Sequence, residues 1–268
     1  MKNEMRWGMG KFLYHIKKYY KYAVYSAKAE LKCEVANSYL NWIWWILDPI
    51  SFMLIYTFIV EVVFKTSEPY FPVFVFIGLT AWTFFKQMLS GSVKLISSNR
   101  SIVTKVYIPK YILLISKSFK YLFKLFISFV LVFLLMIVFK VPFTWHILWV
   151  IPILLVLYIV SLGMAMILLH FGIYVEDLYN VVNIVLRLMF YLSGVFYNIR
   201  TRVPSPYNAF LLRMNPVAFL MDEFRKVLLE GRMPSFVGLG FWLIVGLLLC
   251  MIGIKIIHKY ENSYAKVI

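Results

Sequence analysis

The sequence lacks the groups that most enzyme chemistry needs. Its 268 residues hold no G-x-x-x-x-G-K-[ST] loop to cradle phosphates, so ATP is not bound here by that route. No serine sits in a G-x-S-x-G elbow. The four histidines (His15, His146, His170 and His258) are scattered, with no carboxylate at the spacing of an H-E-x-x-H helix, so no metal site is expected. There are two cysteines: Cys33 in a basic amino-terminal stretch and Cys250 in a late apolar run. They imply neither a disulfide framework nor a cysteine metal site. Charge is sparse, at 15% of residues. Residues 1–30 have no uninterrupted apolar core before a cleavage site, so no secretory signal is expected.

What is abundant is apolar surface. Hydrophobic residues are 62% of the chain and mean hydropathy is +0.80, against about 45–50% apolar in ordinary globular proteins. Runs near 42–64, 70–89, 119–139, 147–174, 178–197 and 237–257 match the roughly 20 residues that cross a bilayer as helix. Barrel strands would alternate, and LFISFVLVFLLMIVF (125–139) does not. The expectation is an all-α polytopic membrane protein with six transmembrane helices, the third reaching back to span 110–139.

The net charge of +16 is distributed by loop rather than gathered for nucleic acid. Residues 1–41 carry Lys2, Arg6, Lys11, Lys17, Lys18, Lys21, Lys28 and Lys32, and the second link adds Lys94, Arg100, Lys105 and Lys110. The first and third links offer only Lys65 and Lys140. By the positive-inside rule the amino terminus and second link are cytoplasmic. Six spans then return Lys255, Lys259 and Lys266 to the same side of a cell membrane. Arg200, Arg202, Arg213, Arg225 and Arg232 break the pattern on the outer face, where Asp222, Glu223 and Glu230 dilute them.

Within a cytoplasmic arm (1–36), residues 11–35 form an amphipathic helix. Lys17, Lys21, Lys28 and Lys32 share one face toward anionic headgroups, opposite Tyr19, Tyr20, Ala23, Val24, Ala27 and Leu31, while Glu30 and Glu34 spoil the end of the apolar arc. The link SSNRSIVTKVYIPK (97–110) reads as a short helix over about 98–109, capped by Ser97, Ser98 or Asn99. Ile102, Val103, Val106 and Ile108, rimmed by lysines, suggest a docking surface. Pro204, Pro206 and Pro216 punctuate two short outer helices over about 205–231, with Gly231 as a helix stop.

Charge at membrane depth supplies the candidate site. Lys110, Lys117, Lys120 and Lys124 lie on one face of the third span, about 21 Å from first to last at 1.5 Å per residue. They read either as snorkelling to headgroups or as a basic lane for an anionic substrate. Arg187, ten residues after Asp177, falls near mid-membrane, where a charge faces protein or a water-filled path. Tyr191, Phe196 and Tyr197 near the outer end of span five are candidates for an aromatic gate. Trp42, Trp44 and Trp45 read as an interface belt, and His170 as a packing residue.

Three stretches carry a family resemblance: NSYLNWIWWILDPISFMLIYTFIVEVVF (37–64), FPVFVFIGLTAWTFFKQ (71–87) with the link after it, and VEDLYNVVNIVLRLMFYLSGVFY (175–197) followed by NPVAFLMDEFRKVLLEG (215–231). They resemble the ABC-2 type polysaccharide-export permeases, in order and over nearly the whole chain. IRTRVPSPYNAFLLRMNP and YENSYAKVI look closest to the teichoic acid translocation permeases (TagG/TarG type) of Gram-positive bacteria. Glu176 stands where the family commonly has Arg, and Ser193-Gly194-Val195 where it often has Ser-Pro-Val/Ile.

The resemblance implies an ABC-2 (type V exporter) transmembrane domain over 37–268, with an amino-terminal interface helix and short re-entrant outer helices. Two such permeases would pair with two copies of a separate ATPase subunit that binds ATP and Mg, leaving this chain no cofactor and no catalysis. The substrate would be an undecaprenyl-diphosphate-linked anionic polymer, wall teichoic acid, or alternatively O-antigen or capsule. On this mapping Asn99, Arg100, Ile102, Val103, Lys105, Val106, Tyr107 and Pro109 form the coupling helix. A membrane-embedded transferase would need paired acidic or His–Asp groups, and only Glu176-Asp177 approaches that. A channel would have no use for a coupling segment.

Overall fold

A computed structural model describes residues 2–36, 39–63, 65, 68–106 and 108–267, without the side chains of 2–9, 11–13, 41, 262 and 265–267. Tyr107 lies outside the described residues. The fold is all helical there. α1 (Lys2–Val35) is the arm. A 3-10 turn (Asn41–Ile43) leads into α2 (Trp44–Thr57), which ends as a π-helical segment, Phe58–Val63. Then come α3 (Phe71–Val93), α4 (Leu95–Ser98), α5 (Arg100–Lys105) and α6 (Lys110–Val138). A 3-10 turn, Trp145–Trp149, precedes α7 (Val150–Tyr174), followed by α8 (Leu178–Leu192). α9 (Ile199–Arg202), α10 (Tyr207–Met214) and α11 (Pro216–Leu228) lead to α12 (Phe236–Val267).

Among the described residues five helices have the length and apolar composition to cross a membrane: Trp44–Val63, Phe71–Val93, Lys110–Val138, Trp145–Tyr174 and Phe236–Glu261. The sixth expected span, 178–197, is helical only from Leu178 to Leu192. At 1.5 Å per residue its 15 residues reach about 22 Å, short of a hydrocarbon core of about 30 Å. Gly194, at φ +68°, ends it in the left-handed region that side chains with a Cβ avoid. The chain then turns into the three short helices α9–α11.

α3 is the hub. It is buried on nearly every face, as a helix apolar all round should be, and packs against α2, α6, α7, α8 and α11. α7 and α12 form the most extensive helix pair. Their seam is built on glycine: a Cβ at Gly163 would stand 2.9 Å from the Cys250 nitrogen and 3.0 Å from the Gly246 carbonyl. Small residues of this kind let helix backbones approach where lipid offers no hydrophobic drive. His170 donates to or accepts from the Tyr264 hydroxyl at 2.8 Å across the same pair, the packing role expected of it.

The expected coupling helix is shorter and broken. α4 and α5 are separate turns hinged at Asn99, and α5 stops at Lys105. The expected cap does not form: Ser97 and Ser98 hydroxyls donate back to the carbonyls of Lys94 and Leu95, and the Asn99 amide donates to Leu95 at 2.8 Å. Of the apolar residues expected to face outward, Val103 and Ile108 are buried and anchor the link, Ile102 is half-buried, and Val106 alone is exposed. Burying that stripe fixes a loop too short to hold itself.

Candidate functional site

The arm lies against α6, and Tyr20, expected on its apolar face, is exposed. Lys17, Lys21, Lys28 and Lys32 are exposed, while Ala23 and Ala27 are buried. The Ser116 hydroxyl donates to the Ala23 carbonyl at 3.0 Å, and His15 hydrogen-bonds the Tyr111 hydroxyl. Glu30 and Glu34, which break the apolar arc, have α6 as their reason. Glu34 pairs with Lys120 at 3.0 Å and with Lys124, and Glu30 lies 3.7 Å from Lys120. Burial alone would raise the Glu34 carboxyl. Hydrogen bonds from Lys124 and Lys120 outweigh it and hold the group below its usual range.

So the lysine lane is not a bare cationic stripe. Lys120 and Lys124 are matched by the arm. Lys117 is half-buried within electrostatic reach of Glu30. Lys110, at the start of α6, is buried and donates to the Ile108 carbonyl at 3.2 Å.

Beside this cluster a cavity of about 710 Å³ opens between α2, α3, α6 and α8. Its charged lining includes Glu34, Asp48, Lys86, Lys124 and Arg187. Its walls carry Trp44, Trp45, Phe52, Trp82 and Phe190, and polar groups from Thr80, Thr83, Gln87, Ser128 and Asn183. The structure thus brings Lys124 and Arg187 to one cavity. Thr80 is 4% exposed and its hydroxyl has no partner among the described residues. Trp45, expected in an interface belt, packs edge-on against Phe123 and lines the cavity, with the Lys124 ammonium 5.4 Å from its ring centre.

At the carboxyl end of α8 the three gate candidates come together. The Tyr197 hydroxyl donates to the Tyr191 carbonyl at 2.9 Å, and Phe190 meets Phe196 and Tyr191 edge-on. Tyr56 of α2 stacks on Phe196, ring centres 3.5 Å apart. This cluster joins α2 to the end of α8.

Behind it, Arg225 of α11 is inserted where α8 ends. Its guanidinium donates to the carbonyls of Gly194 and Val195 at 2.8 Å each and to Phe74 at 3.2 and 3.3 Å, lying 3.5 Å above the Phe74 ring. Burial pulls its pKa down to about 9, with Asp222 and Glu68 opposing, so it stays charged at neutral pH. Gly78 makes the room, since a Cβ there would lie 2.6 Å from Nη2. Asn215 joins the same corner: its amide donates to Ser193 Oγ, and its carbonyl oxygen accepts from the Val217 and Ala218 amides as the cap of α11.

Most of the remaining charges on and beside α9–α11 pair off. Arg200 grips Asp222 through Nε and Nη2 at 2.6–3.0 Å, and Lys226 bridges Asp222 and Glu223. Arg202 reaches Glu68 at 3.7 Å. These carboxylates account for much of the arginine excess over 200–232 that broke the expected charge pattern.

The profile of the ABC-2 type transporter family matches residues 24–229, from the arm to the end of α11. The chain belongs to that family. As an ABC-2 permease it is a membrane component and no enzyme. Two similar curated proteins are both named O-antigen export system permease protein RfbA. The one from Myxococcus xanthus is 27% identical over 206 residues, covering 77% of this chain and 79% of its own length. The one from Klebsiella pneumoniae is 23% identical over 242 residues, covering 89% and 92%.

These relatives correct one expectation. The TagG/TarG teichoic-acid resemblance rested on the stretch 199–216 and the tail 260–268, whereas similarity to O-antigen export permeases extends over most of the chain. The family assignment stands and the teichoic-acid branch does not.

In this ABC-2 permease the coupling candidates lie on α5 and beside it. Arg100 and Lys105 are exposed with Val106, Asn99 is the hinge, and Pro109 is buried at the start of α6. Sequence reasoning missed Tyr56, Asp48 and Arg225. For Arg225 a signal existed: it follows Phe224 on the apolar side of α11, where a solvated arginine would be out of place.

Proposed function

We propose that this chain is the permease half of an ATP-driven exporter that carries a lipid-linked polysaccharide of the O-antigen or capsule type across the cell membrane. The cavity between α2, α3, α6 and α8 carries the reading. It combines indole and phenyl walls, suited to lipid and sugar faces, with hydroxyl and amide groups and the cations Lys124 and Arg187. Both RfbA proteins are named for O-antigen export, and the Klebsiella relative aligns along 89% of this chain.

In this reading two copies form the pathway and two ATPase subunits bind beneath them. With α8 and the turn after it together carrying the chain across a sixth time, the arm, the α4–α5 link and the carboxyl terminus face the cytosol, and α9–α11 face outward. Exposed Val106, flanked by Arg100 and Lys105, is the contact through which ATPase closure reaches α3 and α6. Tyr56, Phe190, Tyr191, Phe196 and Tyr197 close the outer end. Deleting the gene tests the substrate: surface polysaccharide is lost, and the same polymer on its lipid carrier accumulates inside. Unchanged surface polysaccharide would refute the assignment. Tagged permease should also bring down a Walker-motif subunit, and a permease that purifies alone under every condition would remove the ATPase.

A further inference from the structure

Resting on the exporter reading, we propose that Lys120 and Lys124 form a binding site for a diphosphate headgroup. In this structure the Glu34 carboxylate of the arm fills it. An entering diphosphate takes the place of Glu34 and frees the last turn of the arm.

Two ammonium groups converge on one carboxylate. Glu34 Oε2 meets Lys120 Nζ at 3.0 Å and Oε1 meets Lys124 Nζ, so each oxygen is taken by a different lysine. This is how two cations would hold two oxygens of a phosphoryl group. Both lysines are largely covered, with side chains 15% and 17% exposed, so the pair is shielded from salt more than a surface bridge is. Three lysines, counting Lys117, stand against two carboxylates here, so a dianion is better matched than Glu34 alone.

The site has an entrance. Glu34 and Lys124 both line the 710 Å³ cavity, which continues along Trp45 to Arg187. An anion arriving along that path reaches Lys124 and the Glu34 carboxylate, which Lys120 holds from its other side, without crossing protein.

The occupant is placed to leave. Glu34 lies in the last turn of α1, which ends at Val35. A carboxylate there faces the negative end of the helix dipole, so α1 itself does not favour the charge and the lysines hold it. Releasing it loosens one turn, while Ala23, Ala27 and the Ser116 bond keep the rest of the arm on α6.

The test uses the full chain in lipid nanodiscs, with Cys250→Ser and a nitroxide on the native, exposed Cys33 beside Glu34. Geranylgeranyl diphosphate, inorganic pyrophosphate and geranylgeraniol are added in turn, and label mobility is read by paramagnetic resonance. Diphosphate should mobilise the label and geranylgeraniol should not. The exchange Glu34→Lys with Lys124→Glu keeps an ion pair and an immobile label at rest, yet should need at least about tenfold more diphosphate, since charge-assisted bonds are lost. A response to both diphosphates assigns the site to the group itself. A response to the lipid form alone assigns it to a headgroup presented from the membrane, and either result upholds the exchange. A silent label, an equal response to geranylgeraniol, or an unchanged requirement in the exchanged variant overturns it. Cellular export by the unlabelled chain is scored separately. Normal export with a silent label refutes the exchange alone, whereas intact surface polysaccharide without the gene removes the exporter reading only.

Discussion

Replacing Arg225 by Met should destabilise this permease more than any other single change in α9–α11. The guanidinium serves three carbonyls, those of Gly194, Val195 and Phe74, at the point where α8 ends and the chain turns outward. Methionine fills much of the volume but leaves the three oxygens without donors. A hydrogen bond to a charged group contributes about 1.5–3 kcal/mol, and breaking a buried charged network by removing one partner costs about 3–5 kcal/mol. At about 2–4 °C per kcal/mol for a chain of this size, the midpoint of thermal unfolding should fall by roughly 6–20 °C. Arg225→Lys keeps the charge but cannot fork to several carbonyls, and should recover less than half of the loss.

Gly78→Ala attacks the same bonds from the other side, because its Cβ would sit 2.6 Å from Nη2 and 3.2 Å from the Val195 carbonyl. If the argument holds, the two changes act on one set of interactions. The double variant should then cost little more than Arg225→Met alone, a coupling well above the few tenths of a kcal/mol seen for independent sites. The assay is thermal unfolding in detergent and in nanodiscs, followed by intrinsic fluorescence. An Arg225→Met midpoint within about 2 °C of the parent, corresponding to about 1 kcal/mol or less, or simple additivity with Gly78→Ala, would refute it.

Three further outcomes are expected. Val106→Asp, at an exposed position, should leave the unfolding midpoint unchanged while reducing ATPase activity in the assembled transporter, whereas Val103→Asp, buried in the same link, should lower the midpoint itself. Because Glu34 has a folded pKa below its ordinary value near 4.5, its ion pairs stabilise arm docking above that pH and lose their effect as pH falls through the folded value. Nitroxide mobility at Cys33 should therefore rise in the parent as pH falls below the ordinary carboxylate range, and be raised already at neutral pH in Glu34→Gln. Tyr56→Ala and Phe196→Ala each remove the same ring stack, worth about 0.5–1.5 kcal/mol beyond burial, so their effects on export should be non-additive. Simple addition of the two defects would separate the rings functionally.

The long apolar runs and the amphipathic arm were legible because they are local. A run of 20 apolar residues has one favourable solution in lipid, and helical periodicity assigns each residue a face. What periodicity cannot give is the identity of the opposing face. Lys120 and Lys124 read as a cationic stripe because their partners, Glu30 and Glu34, stand about 90 positions earlier, where they look like blemishes on the arm. Arg225 read as a surface charge because its partners are backbone carbonyls, which leave no trace in composition. The shortness of α8 turns on the φ of Gly194, and a glycine inside an apolar run is equally at home in a helix. The teichoic-acid resemblance failed for a related reason: two short stretches carried it, and short stretches resemble many things.

The burial of α3 has a consequence for how the protein is made. α3 is the most enclosed of the five long spans and the least hydropathic of them, and two of the helices that wall it in, α6 and α7, follow it in the chain. During synthesis it must enter the bilayer before those walls exist, with its eventual interior turned toward lipid. Its composition is therefore a compromise between two solvents met in succession: apolar enough to leave the translocation machinery, yet free to carry Thr80 and Gly78 once protein replaces lipid around it. Substitutions that make α3 slightly more polar should injure biogenesis before they injure the finished transporter, lowering the amount of protein while sparing the activity of each molecule that assembles.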